Sequence, residues 1–441
     1  MSGHTRRDAL KRLGAAGSAG VVALAGCSQQ EDGGEGGETT ESGSGGDTET
    51  SGDDGGESGG EAINLGSLFP ITGTNSPYGG GHQQAFNLAV EEVNAAGGPM
   101  GRTINPLNRD TEGKPSQAAQ KFRTMINEEG IVGLVGPYSS GIGTVLAPIA
   151  RDNQVMQMSN GNTSPSLADA GLNKNDSNKY YGRTAPNDVQ QALVMARVLN
   201  QKIEAEKAAF LYVDNPYGQG LAEAASENFD GETTNLVGYS KQTNDYSSTL
   251  DSLFEGNPDA VGAVMYPGNG RTILQQWNQG GYGGEWVGAE AIWSPKLLSD
   301  LSDIVEGMYI TSPQTANSST FQENMGGTDK VTQFAPHAYD ATYLEALALH
   351  KAGEASGAGI SENIRDVSRS NDGDTSVSVA EYEKGKSAID DGNGVNYDGA
   401  SGSVDLNKNL EPVVPYRIMQ VQDGEAKMDE EVPLSYFEGK I

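Results

Sequence analysis

Cysteine and histidine are scarce in this 441-residue sequence. The only cysteine is Cys27, so no disulfide bond can form within the chain. The four histidines are His4, His82, His337 and His350, and their spacing fits no metal-binding motif. No Gly-x-Ser-x-Gly motif lies in a strand–turn–helix setting, and no histidine accompanies a nucleophile motif. We therefore expect no metal, no cofactor and no enzyme activity.

Basic residues are also few. The chain has 29 Lys and Arg against 60 Asp and Glu, which gives a net charge of −31. Such a charge repels nucleic acid and anionic lipid, so we expect neither as a partner. The balance resembles that of proteins from extreme halophiles, whose acidic surfaces keep them soluble in concentrated salt. The alternative is that the acidic surface itself binds a ligand.

No apolar run is long enough to predict a transmembrane helix, which needs about 20 residues. The apolar stretch from Leu13 to Gly26 follows Arg6-Arg7 and ends at Leu24-Ala25-Gly26-Cys27. This is the pattern of a twin-arginine export signal, and its end resembles a lipobox with Cys27 as the lipid attachment point. We therefore predict a signal over residues 1–27 and an exported protein, lipid-anchored at the outer face of the membrane. The alternative is that Cys27 is an ordinary thiol.

A tract with almost no apolar residues follows Cys27. Residues 28–61 contain eleven acidic side chains, many glycines and serines, and no Lys or Arg. Such a composition cannot bury a core, which predicts a disordered tether.

The remaining 380 or so residues exceed a typical single core, so two lobes are expected. Short apolar runs alternate with helical patterns, as in the strand Ile63–Phe69 followed by the helix Gln83–Ala96. A second such series begins after Pro186, a long apolar helix is predicted over Phe334–Ala352, and the tail from Gly402 to Gln422 suggests a hairpin. The pattern predicts an α/β protein with two Rossmann-like lobes, each a mostly parallel sheet flanked by helices.

Polar residues gather where the predicted strands end, which is where ligands bind in open α/β sheets. Hydroxyls and small residues follow strands of the first series, whereas tyrosines and one carboxylate, Glu290, follow strands of the second. Hydroxyls and N–H groups at helix starts suit a carboxylate, and an acid among tyrosines suits an ammonium group. Together they describe a pocket for a zwitterion between two lobes.

At these residues the chain resembles the substrate-binding proteins of ABC importers for branched-chain amino acids, of the type I periplasmic binding protein fold. The resemblance covers nearly all of residues 62–441. It is carried by Pro70-Ile71-Thr72-Gly73, Glu91–Gly98, Gly136-Pro137-Tyr138-Ser139-Ser140, Arg183-Thr184, Tyr217–Gly220 and Ala338-Tyr339-Asp340-Ala341.

The resemblance implies that the chain crosses between the lobes three times, near Arg183–Pro186, Ser312–Thr315 and Asn396–Gly402. Lobe 1 then comprises residues 62–184 and 314–398, and lobe 2 comprises residues 185–313 and 399–441. It also implies a monomer that binds an amino acid and delivers it to ABC permease and ATPase subunits.

The resemblance further implies a role for each pocket residue. Ser140, Gly161 and Thr163 match positions that hold the ligand's carboxylate, and Thr163 also helps to hold the amino group. Glu290 matches the acid that pairs with the ammonium group. The aromatic positions are Tyr217 and Tyr266, which close over the ligand, and Tyr78, which lines its side-chain pocket.

Other interpretations of these residues stay open. Ser140 is a possible helix cap, and Thr163 a possible turn residue. Glu290 could be a solvated surface carboxylate, while each of the three tyrosines could serve packing only. Asn162 departs from the family pattern, in which a smaller residue is familiar. At the level of function, the alternatives are a binder of an amide, urea or another small acid on the same scaffold, and a ligand-sensing receptor domain; a surface enzyme is disfavoured.

Overall fold

The computed structural model describes residues 60–73, 75–316 and 318–441. The predicted signal, Cys27 and almost all of the predicted tether lie outside these residues. The strands, numbered β1 to β14 in chain order, are Ile63–Phe69, Ile104–Asp110, Gly133–Val135, Met156–Ser159, Tyr181–Arg183, Lys207–Val213, Glu232–Tyr239, Ala260–Val264, Glu285–Gly288, Tyr309–Pro313, Thr375–Val377, Val395–Tyr397, Tyr416–Gln422 and Glu425–Val432.

Helices alternate with most of these strands. Numbered α1 to α13 in chain order, they are Ser76–Ala95, Pro115–Asn127, Ser140–Asp152, Asp188–Gln201, Pro216–Glu227, Ser247–Phe254, Pro267–Gly280, Pro295–Asp300, Ser302–Val305, Ser319–Asn324, Ala335–Ala352, Gly357–Val367 and Tyr382–Asp390.

The strands form two large sheets. The first has the order β2-β1-β3-β4-β5 and is parallel throughout. The second has the order β14-β13-β10-β9-β8-β6-β7, in which β6 to β10 are parallel and β13 and β14 are antiparallel to their neighbours. A small parallel pair, β11 and β12, completes the strands. The predicted α/β architecture with two mostly parallel sheets is confirmed.

Each sheet has its own hydrophobic core. Strand β1 is buried at six of its seven positions, as expected for a strand covered by helices on both faces. Helices α1 and α11 pack on one face of the first sheet, and α2 and α3 pack on the other. Helix α11 is buried from Ala335 to His350, because it lies between the first sheet and the other helices. The second sheet and its helices enclose a separate core.

The chain passes between the two cores three times. The first two passages lie between β5 and α4 and between β10 and α10. Before the third, Ala400, Leu406 and Leu410 still pack in the core of the first sheet, whereas Val414 packs in that of the second. The third passage therefore lies near residues 411–413, later than the predicted range 396–402.

Two elements differ from the sequence expectation. Helix α1 begins at Ser76, seven residues before the predicted start, and runs through Gly79, where a Cβ would lie 2.1 Å from the carbonyl oxygen of Pro70. Glycines have a low helix propensity, so the sequence did not predict a helix here. The close approach of the helix to Pro70 nevertheless requires glycine at position 79. The tail hairpin is formed by β13 and β14, and not by the segment after Gly402. The sequence did not predict β14, because this exposed edge strand has few apolar residues.

Candidate functional site

Six of the seven predicted pocket residues surround one small cavity. They reach it from the start of α3, the loop after β4, the first turn of α5, the residue before α7 and the turn after β9. All these positions follow the carboxyl ends of parallel strands, as expected for a ligand site in this architecture. The six residues are Ser140, Gly161, Thr163, Tyr217, Tyr266 and Glu290, and Tyr138 completes the lining.

The cavity has a volume of about 10 Å³. This is roughly the space that one water molecule needs. A ligand as large as an amino acid therefore enters only when the surrounding side chains move apart.

Glu290 is the predicted ammonium partner, and it is buried with 2% of its surface exposed. Its Oε1 accepts a hydrogen bond of 3.0 Å from the Tyr217 hydroxyl, while its Oε2 has no partner among the described residues. Burial raises the pKa of Glu290 to about 6, although the nearby Gln191 amide and the hydrogen bond from Tyr217 act in the opposite direction. The burial rules out the solvated surface carboxylate considered above, and the free oxygen leaves an acceptor for a cationic group.

A second carboxylate, Asp188, lies close to Glu290 and was not predicted. Asp188 is fully buried, and its backbone N–H donates to the carbonyl of Thr163 at 2.9 Å. Neither of its carboxylate oxygens has a hydrogen-bond partner among the described residues. Burial raises the pKa of Asp188 well above its usual range, and the charge of Glu290 raises it further. In the sequence Asp188 only begins a helix, where acidic residues are common because they complement the helix dipole.

Small and hydroxyl residues form the opposite side of the cavity. The Ser140 Oγ accepts a hydrogen bond of 3.3 Å from the backbone N–H of Ser164, which ties the start of α3 to the loop after β4. A Cβ at Gly161 would lie 2.6 Å from the ring of Tyr138, so only glycine fits there. Ser139 precedes α3 without capping it through its side chain. Backbone N–H groups of the first turn of α3 thus suit a carboxylate beside Ser140.

Arg183 holds the loop that carries Thr163. Its Nη1 donates to the carbonyls of Asn162 and Ser164, both at 2.9 Å, on either side of Thr163. Its Nε donates to Glu411 at 2.8 Å, and both members of this ion pair are buried. Sequence matching identified Arg183 as a family position but did not suggest that it supports the loop.

The Asn162 side chain packs behind the cavity. Its Nδ2 donates to the Pro137 carbonyl at 2.9 Å, and a Cβ at Gly143 would lie 1.9 Å from its Oδ1. The missing side chain at Gly143 therefore makes room for the larger residue at position 162.

Tyrosines form the remaining walls. Tyr217 and Tyr266 stack with ring centroids 5.8 Å apart, and burial raises the pKa of Tyr266 to about 12, so it stays a neutral phenol. Tyr78 is not among the residues that line the cavity, but it packs against Tyr138, which does, with a centroid distance of 5.3 Å. The Tyr78 hydroxyl instead donates to the Ala291 carbonyl at 3.4 Å. Tyr138 belongs to the family-like stretch Gly136-Pro137-Tyr138-Ser139-Ser140, but no feature of the sequence marks it as a pocket residue.

The lining of the cavity offers one carboxylate, hydroxyls and phenols, and it contains no cysteine, lysine or histidine. Across the part of the chain that the structure describes, no group of three His, Cys, Asp or Glu residues could hold a metal ion. Within the same residues no helix is long and apolar enough to cross a bilayer.

A protein-family model described as periplasmic binding protein matches residues 62–426. The chain belongs to the periplasmic binding protein family. Members of this family bind substrates outside the cytoplasm, so this periplasmic binding protein is a solute-binding protein. Its two mostly parallel sheets flanked by helices form the type I fold.

Similar proteins agree with this assignment. The chain is 31% identical to the chemotactic signal transduction system substrate-binding protein BasB of Halobacterium salinarum, over 86% of this chain and 91% of BasB. It is 27% identical to Leu/Ile/Val-binding protein homolog 1 of Brucella abortus, over 66% of this chain and 77% of that protein. The leucine-binding protein LivK of Thermotoga maritima shares the fold with a TM-score of 0.70 at 20% identity, covering 84% of this chain and 99% of LivK.

Proposed function

We propose that this protein captures an amino acid, with a branched aliphatic side chain, by closing the two sheet-bearing halves around it. The observation that carries the proposal is the buried carboxylate of Glu290, which interacts with the buried Asp188 and lines the same cavity as Ser140 at the start of α3. The carboxylates suit the ammonium group of a zwitterion, and the helix start suits its carboxylate. The names of the Leu/Ile/Val-binding relatives support the branched side chain.

Calorimetric titration with four matched ligands tests this proposal. L-leucine has both charged groups, 4-methylpentanoate lacks the ammonium, isoamylamine lacks the carboxylate, and isovaleramide is uncharged. We expect tight binding of leucine only, because each charged group meets its own side of the cavity. Binding of isovaleramide without leucine would instead support the amide-binding alternative.

We further propose that the protein is exported, anchored through Cys27 and serves an ABC permease and its ATPase. An anchored binder stays near its membrane partner, which raises the local concentration of captured ligand. Replacement of Cys27 by serine should release the protein from membranes, and replacement of Arg6-Arg7 by two lysines should stop export. Membrane fractionation measures both effects, and membrane retention of the Cys27→Ser protein would argue against the anchor.

A sensory role is the second candidate, and the relative BasB supports it, because that protein is named as part of a chemotactic system. The two roles are separated by deleting the gene and measuring both uptake of radiolabelled leucine and chemotaxis toward leucine. Loss of uptake supports import, whereas loss of chemotaxis with normal uptake supports sensing.

A further inference from the structure

A second and larger cavity lies apart from the candidate site, and we call it the Arg417 cavity. It has a volume of about 250 Å³ and is lined by Arg417 and Trp293 on one side and by Gln333, Phe334 and His337 on the other. It shares no lining residue with the small cavity around Glu290. An apolar cavity of about 150 Å³ is large enough to hold benzene, so this one can hold a ring-sized molecule.

Arg417 provides a cationic group without an anionic partner. Its guanidinium lies over the Trp293 ring at 4.5 Å, and its Nε is buried and has no hydrogen-bond partner among the described residues. Glu431 faces Arg417 across the hairpin, but no described carboxylate oxygen lies within 4.0 Å of this guanidinium. In a chain with twice as many acidic as basic residues, an unpaired and partly buried arginine is unexpected.

The opposite side of the Arg417 cavity adds neutral polar groups to apolar walls. The Gln333 Oε1 and the His337 Nδ1 are buried and have no partner in the described chain. Burial lowers the pKa of His337 to about 3, so its imidazole is neutral at physiological pH. The Gln333 amide and the imidazole each offer donor and acceptor atoms, while Phe334 and several prolines supply apolar surface.

We propose that the Arg417 cavity is a second ligand site, which binds a small organic carboxylate with a flat apolar body. The carboxylate pairs with the guanidinium through charge-assisted hydrogen bonds, and the apolar body packs between Trp293 and Phe334. Phe334 also packs against Tyr138, which lines the candidate site, at a centroid distance of 6.1 Å. A ligand in the Arg417 cavity therefore contacts Phe334, which packs against a residue that lines the candidate site.

Calorimetric titration with phenylacetate tests the proposal on the exported chain, with 2-phenylethanol as a probe of similar shape and no charge. We expect phenylacetate to bind and 2-phenylethanol to bind at least tenfold more weakly. Replacing Arg417 by glutamine should weaken phenylacetate binding at least tenfold. The matched control is Arg123→Gln on the exposed face of α2, which should leave binding unchanged. Equal binding by the R417Q and R123Q proteins would overturn the proposal.

A second variant fills the cavity and keeps Arg417. Thr315 lines the cavity from a half-buried position, so Thr315→Trp should block phenylacetate even where R417Q fails to fold. Unchanged binding by a folded T315W protein would contradict the site.

Competition locates the bound phenylacetate. The titration is repeated with the Glu290→Gln protein, which should bind phenylacetate normally, and with saturating leucine. Simple competition by leucine would place phenylacetate in the candidate site and overturn the second site. If the protein binds phenylacetate through Arg417 but does not bind leucine, the result contradicts the proposed function and leaves the second site supported.

Discussion

Two buried carboxylates interact at the candidate site: Glu290 lines the cavity, and its charge raises the pKa of the buried Asp188. The lining of the cavity contains no lysine or arginine. Arg183, the cation that acts on Asp188, is already paired with Glu411. Burying two like charges is costly unless an opposite charge joins them or a proton neutralises one. The ammonium group of the proposed ligand would supply that opposite charge, so the two carboxylates favour a cationic group over a neutral one.

Removing the charge of Glu290 should therefore weaken amino-acid binding. Glu290→Gln keeps the size of the side chain and loses the charge-assisted hydrogen bond, so we expect leucine binding to weaken by roughly 2–3 kcal/mol. Calorimetry measures the change. Glu285→Gln, at the exposed start of β9, is the control and should bind leucine normally. Unchanged affinity in the Glu290→Gln protein would remove Glu290 from the binding site.

Leucine affinity should depend on pH in a defined direction. The pKa of Glu290 is raised to about 6, chiefly by burial, so below that pH the carboxyl is protonated and neutral. Its attraction for the ligand's ammonium is then lost, and we expect affinity to fall as pH decreases from 8 to 5. Dissociation constants measured across this range test the prediction. The Glu290→Gln protein should show a weaker dependence, and a flat profile in the unmodified protein would contradict the assignment.

The sequence predicted most of this cavity for a simple reason. Ser140, Thr163, Tyr217 and Glu290 each follow a strand whose apolar run is visible in the sequence. Asp188 was not predicted because it lies in the first turn of a helix, where an acidic residue is common for local reasons. The packing of Tyr78 against Tyr138 also has no local sequence pattern, and the role of Tyr78 in lining a side-chain pocket stays a prediction.

At the scale of elements, the loop after β4 depends on contacts far along the chain. Arg183 ends β5 and holds this loop through two carbonyls, and Glu411 holds Arg183 from a segment more than 200 residues away. Such long-range pairing has no local pattern, so the sequence could not reveal it. By contrast, β1 and α11 were predicted closely, because continuous apolar runs record burial directly.

Breaking this pair should destabilise the protein strongly. Arg183→Met leaves Glu411 as a buried charge without its partner and two loop carbonyls without donors, so we expect a loss of about 3–5 kcal/mol in the free energy of unfolding. Denaturant unfolding followed by circular dichroism measures it. Arg197→Met, which breaks the more exposed pair with Glu430, should cost only about 0–1 kcal/mol. Equal losses in the two variants would show that burial of the Arg183 pair does not matter.

At the scale of the whole molecule, contacts join the two sheet-bearing halves directly across the cavity. The Ser164 hydroxyl, from the loop after β4, donates to the Pro216 carbonyl at the start of α5 at 2.7 Å. The Tyr78 hydroxyl makes a longer bond to Ala291. Since the cavity between these contacts holds about 10 Å³, they must separate before an amino acid can enter. Contacts present in only the closed arrangement contribute to affinity by favouring closure.

Removing one such contact should shift the molecule toward the open arrangement. Ser164→Ala loses the hydrogen bond to Pro216, so we expect leucine binding to weaken by about 0.5–1.5 kcal/mol. Small-angle X-ray scattering should show a decrease in radius of gyration when leucine is added, with half-closure at a higher leucine concentration in this variant. Ser166→Ala is the matched control, because it removes only the exposed partner of Ser164 at 2.9 Å. A radius of gyration that leucine does not change would contradict closure as the mode of capture, since the halves would then bind without moving.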